Sequence, residues 1–135
     1  MKHSVQQTAY TQAQRAYELA DARHGKYERN FLAARSITDR GGRPARHIWQ
    51  VEDDALFDRL EEEYQADPVA TQLQADYTSA RVAFIQAEKD LISWALSIVP
   101  AVVRDTLAPA AKQDAATRKK IIDLALQLDP STVVR

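Results

Sequence analysis

The sequence predicts an all-α protein: a long antiparallel two-helix hairpin with a coiled-coil-like seam, a short acidic helix in the connection and two short C-terminal helices packed on the hairpin. Glycine is rare, with three among 135 residues, and the five prolines divide the chain at intervals that suit helices. Two long segments also repeat apolar residues every seven positions, which is typical of paired helices. We therefore expect a single helical domain over residues 1–135.

The seven-residue repeat predicts long helices at residues 5–36 and 69–98. In the first, two rows are formed by Tyr10, Tyr17, His24 and Phe31 and by Ala13, Ala20, Tyr27 and Ala34. In the second, one row is formed by Ala70, Tyr77, Phe84, Leu91 and Ile98. The other row is formed by Leu73, Ala80, Ala87 and Trp94. Aromatic side chains packed opposite alanines would let the two helices approach closely. An antiparallel hairpin would then bring together Tyr10 and Trp94, Tyr17 and Ala87, His24 and Ala80, and Phe31 and Leu73.

The connection between the long helices is predicted to hold a basic loop at residues 37–51 and an acidic helix at 52–66. The acidic helix carries an apolar stripe made of Leu56, Phe57, Leu60 and Tyr64, and Pro68 separates it from the second long helix. Two C-terminal helices are predicted at 101–108 and 115–128. Asp114 is the expected N-cap of the second one, because a short polar side chain there accepts a hydrogen bond from a free amide.

The last predicted helix is apolar on more than one side, through Ile121, Ile122, Leu124, Ala125, Leu126 and Leu128. A helix of this kind is usually buried on two sides. The hairpin also leaves flanking apolar residues to cover, namely Leu19, Leu32, Val82 and Ile92. We therefore expect the protein to form a homo-oligomer.

The composition excludes several classes of protein. There is no cysteine, which excludes a disulfide scaffold, a thiolate zinc site and a cysteine nucleophile. The opening residues MKHSVQQTAYTQAQ lack the apolar core of a signal peptide, and no apolar run approaches the roughly 20 residues that span a bilayer. We expect a soluble cytoplasmic protein without membrane contact.

The net charge of −1 conceals a strong segregation of charge. Residues 1–51 contain nine Lys/Arg and four Asp/Glu, whereas residues 52–68 contain one basic and eight acidic residues. The basic part contains a Gly-Gly-Arg-Pro segment. The arginines in and around this segment, together with the nearby tryptophan, suit an acidic protein partner or a phosphate backbone. The predicted partner-binding residues of this loop are Arg40, Arg43, Arg46, His47 and Trp49, with Arg35 just before it.

The acidic helix supplies the other half of the predicted binding site, through Asp54, Asp58 and Glu62. These residues are four apart on one helix face, where like charges cost about 0.2–0.5 kcal/mol per pair. The row therefore needs a basic neighbour. That neighbour is either the chain's own arginine loop, which would then simply cover the acidic helix, or another molecule.

The sequence gives little support for catalysis or metal binding. Asp21, His24 and Glu28 share a helix face, but the carboxylates that other helices contribute to a di-metal site are missing. Glu61-Glu62-Glu63 lacks the Glu-Glu-x-x-Glu spacing of the all-helical nucleotide pyrophosphatases, and no phosphate-binding glycine loop or nucleophile motif occurs. We expect no catalytic residues, no metal and no cofactor.

The sequence thus predicts a non-enzymatic interaction protein, such as an adaptor, inhibitor or regulatory subunit, whose partner is another protein. The alternative is a nucleic-acid-binding protein that uses Arg35, Arg40, Arg43 and Arg46 together with Arg118, Lys119 and Lys120. The acidic residues next to the basic loop weigh against this alternative, because they would repel the same phosphates.

Overall fold

The computed structural model describes residues 3–130 and confirms the all-α fold. Its five helices are α1 (Val5–Ala34), α2 (Asp54–Ala66), α3 (Pro68–Ser97), α4 (Ala101–Gln113) and α5 (Ala115–Gln127). A 3₁₀ turn at Ile48–Gln50 lies inside the predicted loop. Within residues 3–130 there is no β-strand, and the backbone pairing outside helices is a single bridge between Thr38 and Pro44.

The chain divides into two compact units, and both long helices contribute to each of them. The first unit combines the start of α1, up to Arg15, with the chain from Val82 onward. The second unit is Ala16–Arg81, which includes the rest of α1, the basic loop, α2 and the first half of α3. Every predicted partner-binding residue therefore belongs to the second unit.

The ring contacts between α1 and α3 differ from the expected pairing. Tyr10 lies against Phe84, with centroids 5.3 Å apart, and Tyr17 lies against Tyr77 at 5.6 Å. These partners are ten residues before the expected Trp94 and Ala87. The predicted pairs Tyr10–Trp94 and Tyr17–Ala87 were thus wrong, since Tyr10 and Tyr17 instead meet aromatic rings of α3 in an edge-on and a tilted pair.

The core of the first unit is formed by Tyr10, Leu91, Ala95, Ala111, Ile121, Ile122 and Ala125. Its most buried polar residue is Gln7, which is 2% exposed. The Gln7 side chain donates to the carbonyl oxygens of Ala125 and Leu128, both at 2.8 Å, while its own oxygen accepts from the Ser4 N–H at 2.7 Å. The Ser4 hydroxyl accepts from the Gln7 N–H in return, so the capping box of α1 also ties α1 to the end of α5.

Helix α4 is longer than predicted. We expected it to end at residue 108, before Pro109, but it continues through the proline to Gln113. Proline lacks an N–H and costs a helix one hydrogen bond. The continuation places Ala111 in the core of the first unit, beside the partly buried Leu107.

The core of the second unit is formed by Phe31, Leu32, Ala45, Ile48 and Leu60. Leu32 was expected to flank the hairpin and to need cover from self-association, but it is fully buried within the unit. Helix α1 ends at Ala34 rather than at residue 36, because Ser36 adopts a left-handed conformation (φ 56°). The Ile37 N–H then donates back to the Leu32 carbonyl at 3.1 Å, which closes a Schellman-type helix end.

The remaining helix ends agree with the expected ones to within two residues. Helix α2 begins at Asp54 rather than at residue 52, because Asp53 is its N-cap and accepts from the Leu56 N–H at 2.9 Å. Asp114 caps α5 as predicted, by accepting from the Ala116 N–H at 3.0 Å.

Candidate functional site

The first part of the basic loop (residues 37–51) folds around Asp39. One oxygen of its carboxylate accepts from the N–H groups of Gly41 and Arg43, at 2.8 and 3.0 Å. The Asp39 N–H donates to the Arg43 carbonyl at 2.7 Å, and Gly42 N–H donates to the Asp39 carbonyl. Gly42 has a φ of +76°, a conformation that glycine adopts without strain. The arginine-bearing turn is therefore held by local hydrogen bonds.

The second part of the loop is anchored to α1 by Glu28. The two oxygens of this carboxylate accept from His47 Nδ1 at 3.0 Å and from the Ile48 N–H at 3.2 Å. The Glu28 side chain is 13% exposed, so these bonds lie largely out of solvent. The His47 ring in turn stacks on Trp49 at 5.5 Å with an interplanar angle of 9°. Trp49 is nevertheless 72% exposed, and a rigid indole is thereby presented to solvent.

Two arginines of the region are engaged within the chain. The Arg35 guanidinium lies 3.6 Å above the Phe31 ring and pairs with Glu63 at 3.0 Å. Arg40 pairs with Glu52 at 2.7 Å, although both side chains are strongly exposed. These pairs join the loop region to acids that flank the predicted row, and not to the row itself.

Two other loop arginines, Arg43 and Arg46, are exposed and have no ion pair with any carboxylate of residues 3–130. Arg43 lines one cleft with Trp49, together with Asp39, Arg40, Gly41, Gln50 and Glu52. On its other side, Arg43 lines a groove of ≈ 650 Å³ with Arg46 and with Arg29 of α1. We call this groove, whose remaining lining residues are Asn30, Ala33, Asp39, Pro44, Ala45 and Gln50, the arginine groove.

The sequence interpretation missed Arg29, and it considered Glu28 only as a neighbour of Asp21 and His24 in a possible metal site. Both lie in the last two turns of α1, and so beside the loop that the helix leads into. The available signal for their role was that these two charged residues lie near the C-terminal end of the helix that leads into the basic loop. Neither Arg29 nor Glu28 belongs to the two predicted seam rows.

The acidic row (Asp54, Asp58 and Glu62) lies on an exposed face of α2. In the part of the chain that the structure describes, none of its three carboxylates forms an ion pair or a side-chain hydrogen bond. The chain's own arginine loop therefore does not cover the row. Within residues 3–130 no ion pair offsets the repulsion along this face.

His24 and Tyr64 line a second cleft of the same unit, between α1, α2 and α3. His24 stacks on Tyr77 at 5.8 Å and meets the edge of Tyr64 at 6.4 Å. His24 Nε2 and the Tyr64 hydroxyl are buried, and neither makes a hydrogen bond within the part of the chain that the structure describes. Among residues 3–130, no group of three or more His, Asp or Glu side chains is arranged to hold a metal ion, and Glu28 is turned to the loop instead of to His24.

The pKa values of two tyrosines in this region are raised. Burial raises the pKa of Tyr64 to about 12, with smaller contributions from Glu28, Tyr27 and Asp67. The Tyr27 hydroxyl donates to the Asp67 carboxylate, and this bond raises the pKa of Tyr27 and lowers that of Asp67. Asp67 also accepts from the N–H groups of Val69 and Ala70 and so caps α3.

The fold and the site together define an all-α protein with a structured basic loop and a separate acidic helix face. Comparisons with protein-family models, with curated proteins and with solved structures find no match to this chain. None of the helices within residues 3–130 has both the length and the apolar character needed to cross a membrane.

Proposed function

We propose that this chain is a non-enzymatic protein–protein interaction module, acting as an adaptor, an inhibitor or a regulatory subunit. It would bind another protein through the basic loop, with Arg40, Arg43, Arg46, His47 and Trp49, and through the acidic row of α2. The proposal includes no catalytic residue and no cofactor.

The observation that carries the proposal is the exposure of Trp49 on an anchored loop. A 72% exposed indole that is stacked on His47 loses little conformational entropy when it enters an interface. Tryptophan and arginine are also the residues most enriched among those that dominate binding energy. The unpaired acidic row adds a charged face that a basic partner surface would complement.

The test is an affinity capture from native host extract with tagged wild-type protein and two variants. We expect Trp49→Ala to reduce capture of a specific partner and Asp54→Asn/Asp58→Asn/Glu62→Gln to abolish it, while the melting temperature changes little. Val69→Ala is the control, because Val69 is exposed in the same unit and lies outside both surfaces. Equal capture by all four proteins would contradict the proposal.

Nucleic-acid binding is the second candidate, because Trp49 is an exposed stacking surface beside the unpaired Arg43. In this case affinity should fall by roughly 0.9 log unit per log unit of salt for each duplex phosphate neutralised. Arg43→Ala/Arg46→Ala should flatten this slope. The basic run at residues 118–120 gives less support, since Arg118 pairs with Glu88 at 3.3 Å.

The acidic row separates the two candidates. If the chain binds nucleic acid, neutralising Asp54, Asp58 and Glu62 should strengthen binding, because three repelling charges disappear. If it binds a basic protein surface, the same substitution should weaken binding. Tight duplex binding that persists at physiological salt and depends on Arg43 and Arg46 would favour the second candidate over the first.

A further inference from the structure

We propose that the arginine groove between α1 and the basic loop is a binding site for a phosphate monoester. The groove has a volume of ≈ 650 Å³ and is lined by Arg29, Arg43 and Arg46. Arg29 comes from α1, whereas the other two come from the loop, so two elements converge on the site. This inference adds to the proposed function a class of ligand, phosphate monoesters, for the side of the basic loop that faces α1.

The charge of the groove is strongly positive. None of the three arginines forms an ion pair with a carboxylate of residues 3–130, in contrast with Arg35 and Arg40 nearby. Asp39 also lines the groove and contributes a negative charge to it. One of its oxygens already accepts two backbone N–H groups, which spreads part of its charge into the turn.

The groove also offers neutral donors. Gln50 Oε1 accepts from the N–H groups of Arg46 and His47, at 2.8 and 3.2 Å. The Gln50 amide nitrogen makes no hydrogen bond within the described part of the chain, and it remains available to an anion. Asn30 supplies a second amide on the α1 side. The lining thus combines charged forks with neutral N–H groups, a combination suited to an oxyanion.

A phosphate monoester fits this donor set better than a carboxylate does. A carboxylate carries one charge and is satisfied by one bidentate arginine. A phosphate monoester carries a charge of about −1.5 to −2 at neutral pH and three strong acceptor oxygens. A carboxylate would use one of the three arginines that line the groove, whereas a phosphate monoester has enough acceptor oxygens to engage more than one of them.

The groove is held open by the structure itself. Ala45 and Ile48 are buried in the core of the unit, and Glu28 fixes the His47–Ile48 segment to α1. The backbone that carries Arg43 and Arg46 is therefore positioned against the helix that carries Arg29. Pre-organisation of this kind lowers the cost of ordering a site when a ligand binds.

The test is a calorimetric titration of the full chain with a capped Ala-Ala-phosphoserine-Ala-Ala peptide at an ionic strength of about 0.15 M. A matched peptide with glutamate in place of phosphoserine, inorganic phosphate and single-stranded oligothymidylate are titrated in parallel. We expect the phosphopeptide to bind saturably, and Arg29→Ala and Arg43→Ala each to weaken it by about tenfold. Arg43→Lys keeps the charge but loses the fork, and it should weaken binding by an intermediate factor.

Arg81→Ala is the matched control, because Arg81 is exposed in the same unit but does not line the groove. It removes the same charge and should leave the phosphopeptide affinity within about twofold. Affinity for the phosphopeptide above that for inorganic phosphate would identify a phosphorylated polypeptide as the source, and equal affinities would identify a small phosphate ester. Either result supports the assigned chemistry.

Three results would overturn the inference. These are equal binding of the glutamate peptide, equal losses in Arg81→Ala and Arg43→Ala, or absence of saturable phosphopeptide binding. Tighter binding of oligothymidylate with the same arginine dependence would replace the phosphate monoester by a nucleic-acid backbone. The proposed function stands or falls separately, since capture of a partner through the acidic row and Trp49 does not require the groove.

Discussion

Glu28 and His47 are joined by a hydrogen bond of 3.0 Å between the carboxylate of α1 and the imidazole of the basic loop. The same carboxylate accepts the Ile48 N–H. We expect Glu28→Ala to lower the free energy of unfolding by about 1–3 kcal/mol, because it leaves a buried N–H without an acceptor. Amide exchange at Ile48 should accelerate. Glu63→Ala is the control, and it should cost under about 1 kcal/mol because it removes an exposed ion pair. Equal losses in both variants would contradict the anchoring role.

Gln7 provides the corresponding test in the first unit. Gln7→Ala removes two donors to the carbonyl oxygens of Ala125 and Leu128. Because the site is buried, we expect a loss of about 1–3 kcal/mol in urea unfolding. Gln12→Ala changes an exposed glutamine of the same helix and should cost little. If the two variants unfold at the same urea concentration, the link between α1 and the end of α5 is unimportant.

The bond between Tyr27 and Asp67 should be visible in an acid titration. The Tyr27 hydroxyl is the largest cause of the lowered pKa of Asp67. A lowered pKa in the folded state contributes stability above the ordinary pKa of about 3.9, and this contribution is lost as the pH falls through the folded-state pKa. We expect Tyr27→Phe to move the Asp67 pKa upward, as measured from its carboxyl carbon shift by NMR. An unchanged Asp67 titration would show that the backbone donors dominate.

Tyr64 of α2 should behave differently from the seam tyrosines. Its hydroxyl is buried and has no hydrogen-bond partner among residues 3–130, so we expect Tyr64→Phe to leave stability unchanged or raise it by up to about 1 kcal/mol at pH 7. Tyr77→Phe is the contrast, because it removes the 3.2 Å contact with the Tyr17 hydroxyl and should be destabilising. A clear loss of stability in Tyr64→Phe would show that its hydroxyl has a partner in solution.

Tyr64 also predicts alkaline sensitivity. Burial raises its pKa to about 12, while the unfolded chain has the ordinary value near 10. The protonated side chain therefore contributes stability that is fully present below pH about 10 and is lost as the pH rises toward 12. Urea unfolding of wild type and Tyr64→Phe across this interval should show a smaller loss in the variant, and parallel losses would contradict the assignment.

Self-association remains a prediction, and Leu124 is now the residue with which to test it. Leu124 is 64% exposed on α5, whereas Leu128 is partly buried and its carbonyl accepts from Gln7. We expect light scattering of the wild type to give at least twice the chain mass of 15.2 kDa, and Leu124→Gln to reduce it. Val102→Gln, on α4, is the control for an equally exposed apolar residue. A monodisperse wild-type monomer at high concentration would refute this prediction.

Helix positions were predictable from the sequence because proline, capping aspartates and apolar periodicity act locally. Asp114 illustrates this, since its side chain accepts from the Ala116 N–H and from the Thr117 hydroxyl, two and three residues away. The pairing between α1 and α3 was not predictable in the same way. The predicted rows of α3 offer aromatic residues at several levels, namely Tyr77, Phe84 and Trp94, so the pattern alone did not decide which of them meets Tyr10.

The candidate site was only partly predictable, for a related reason. The loop arginines and Trp49 are contiguous in sequence, and their exposure follows from the Gly-Gly-Arg-Pro composition. Arg29 and Glu28 become relevant only when the loop folds back on α1, a contact across about 20 residues that no local pattern encodes. The lack of arginine ion-pair partners for the acidic row within residues 3–130 also depends on tertiary geometry. Arg40 pairs with Glu52 and Arg35 pairs with Glu63 instead.

The division into two units gives each unit its own optical reporter. The chain has two tryptophans: Trp49 belongs to the second unit, and Trp94 belongs to the first. Trp94→Phe and Trp49→Phe therefore yield two proteins whose indole emission follows the melting of one unit each. Coincident transitions would mean that α1 and α3, which are continuous through both units, transmit unfolding from one to the other as a single cooperative event. Separate transitions would make the chain a pair of independently melting bodies that share two helices, with the basic loop and the acidic row on only one of them.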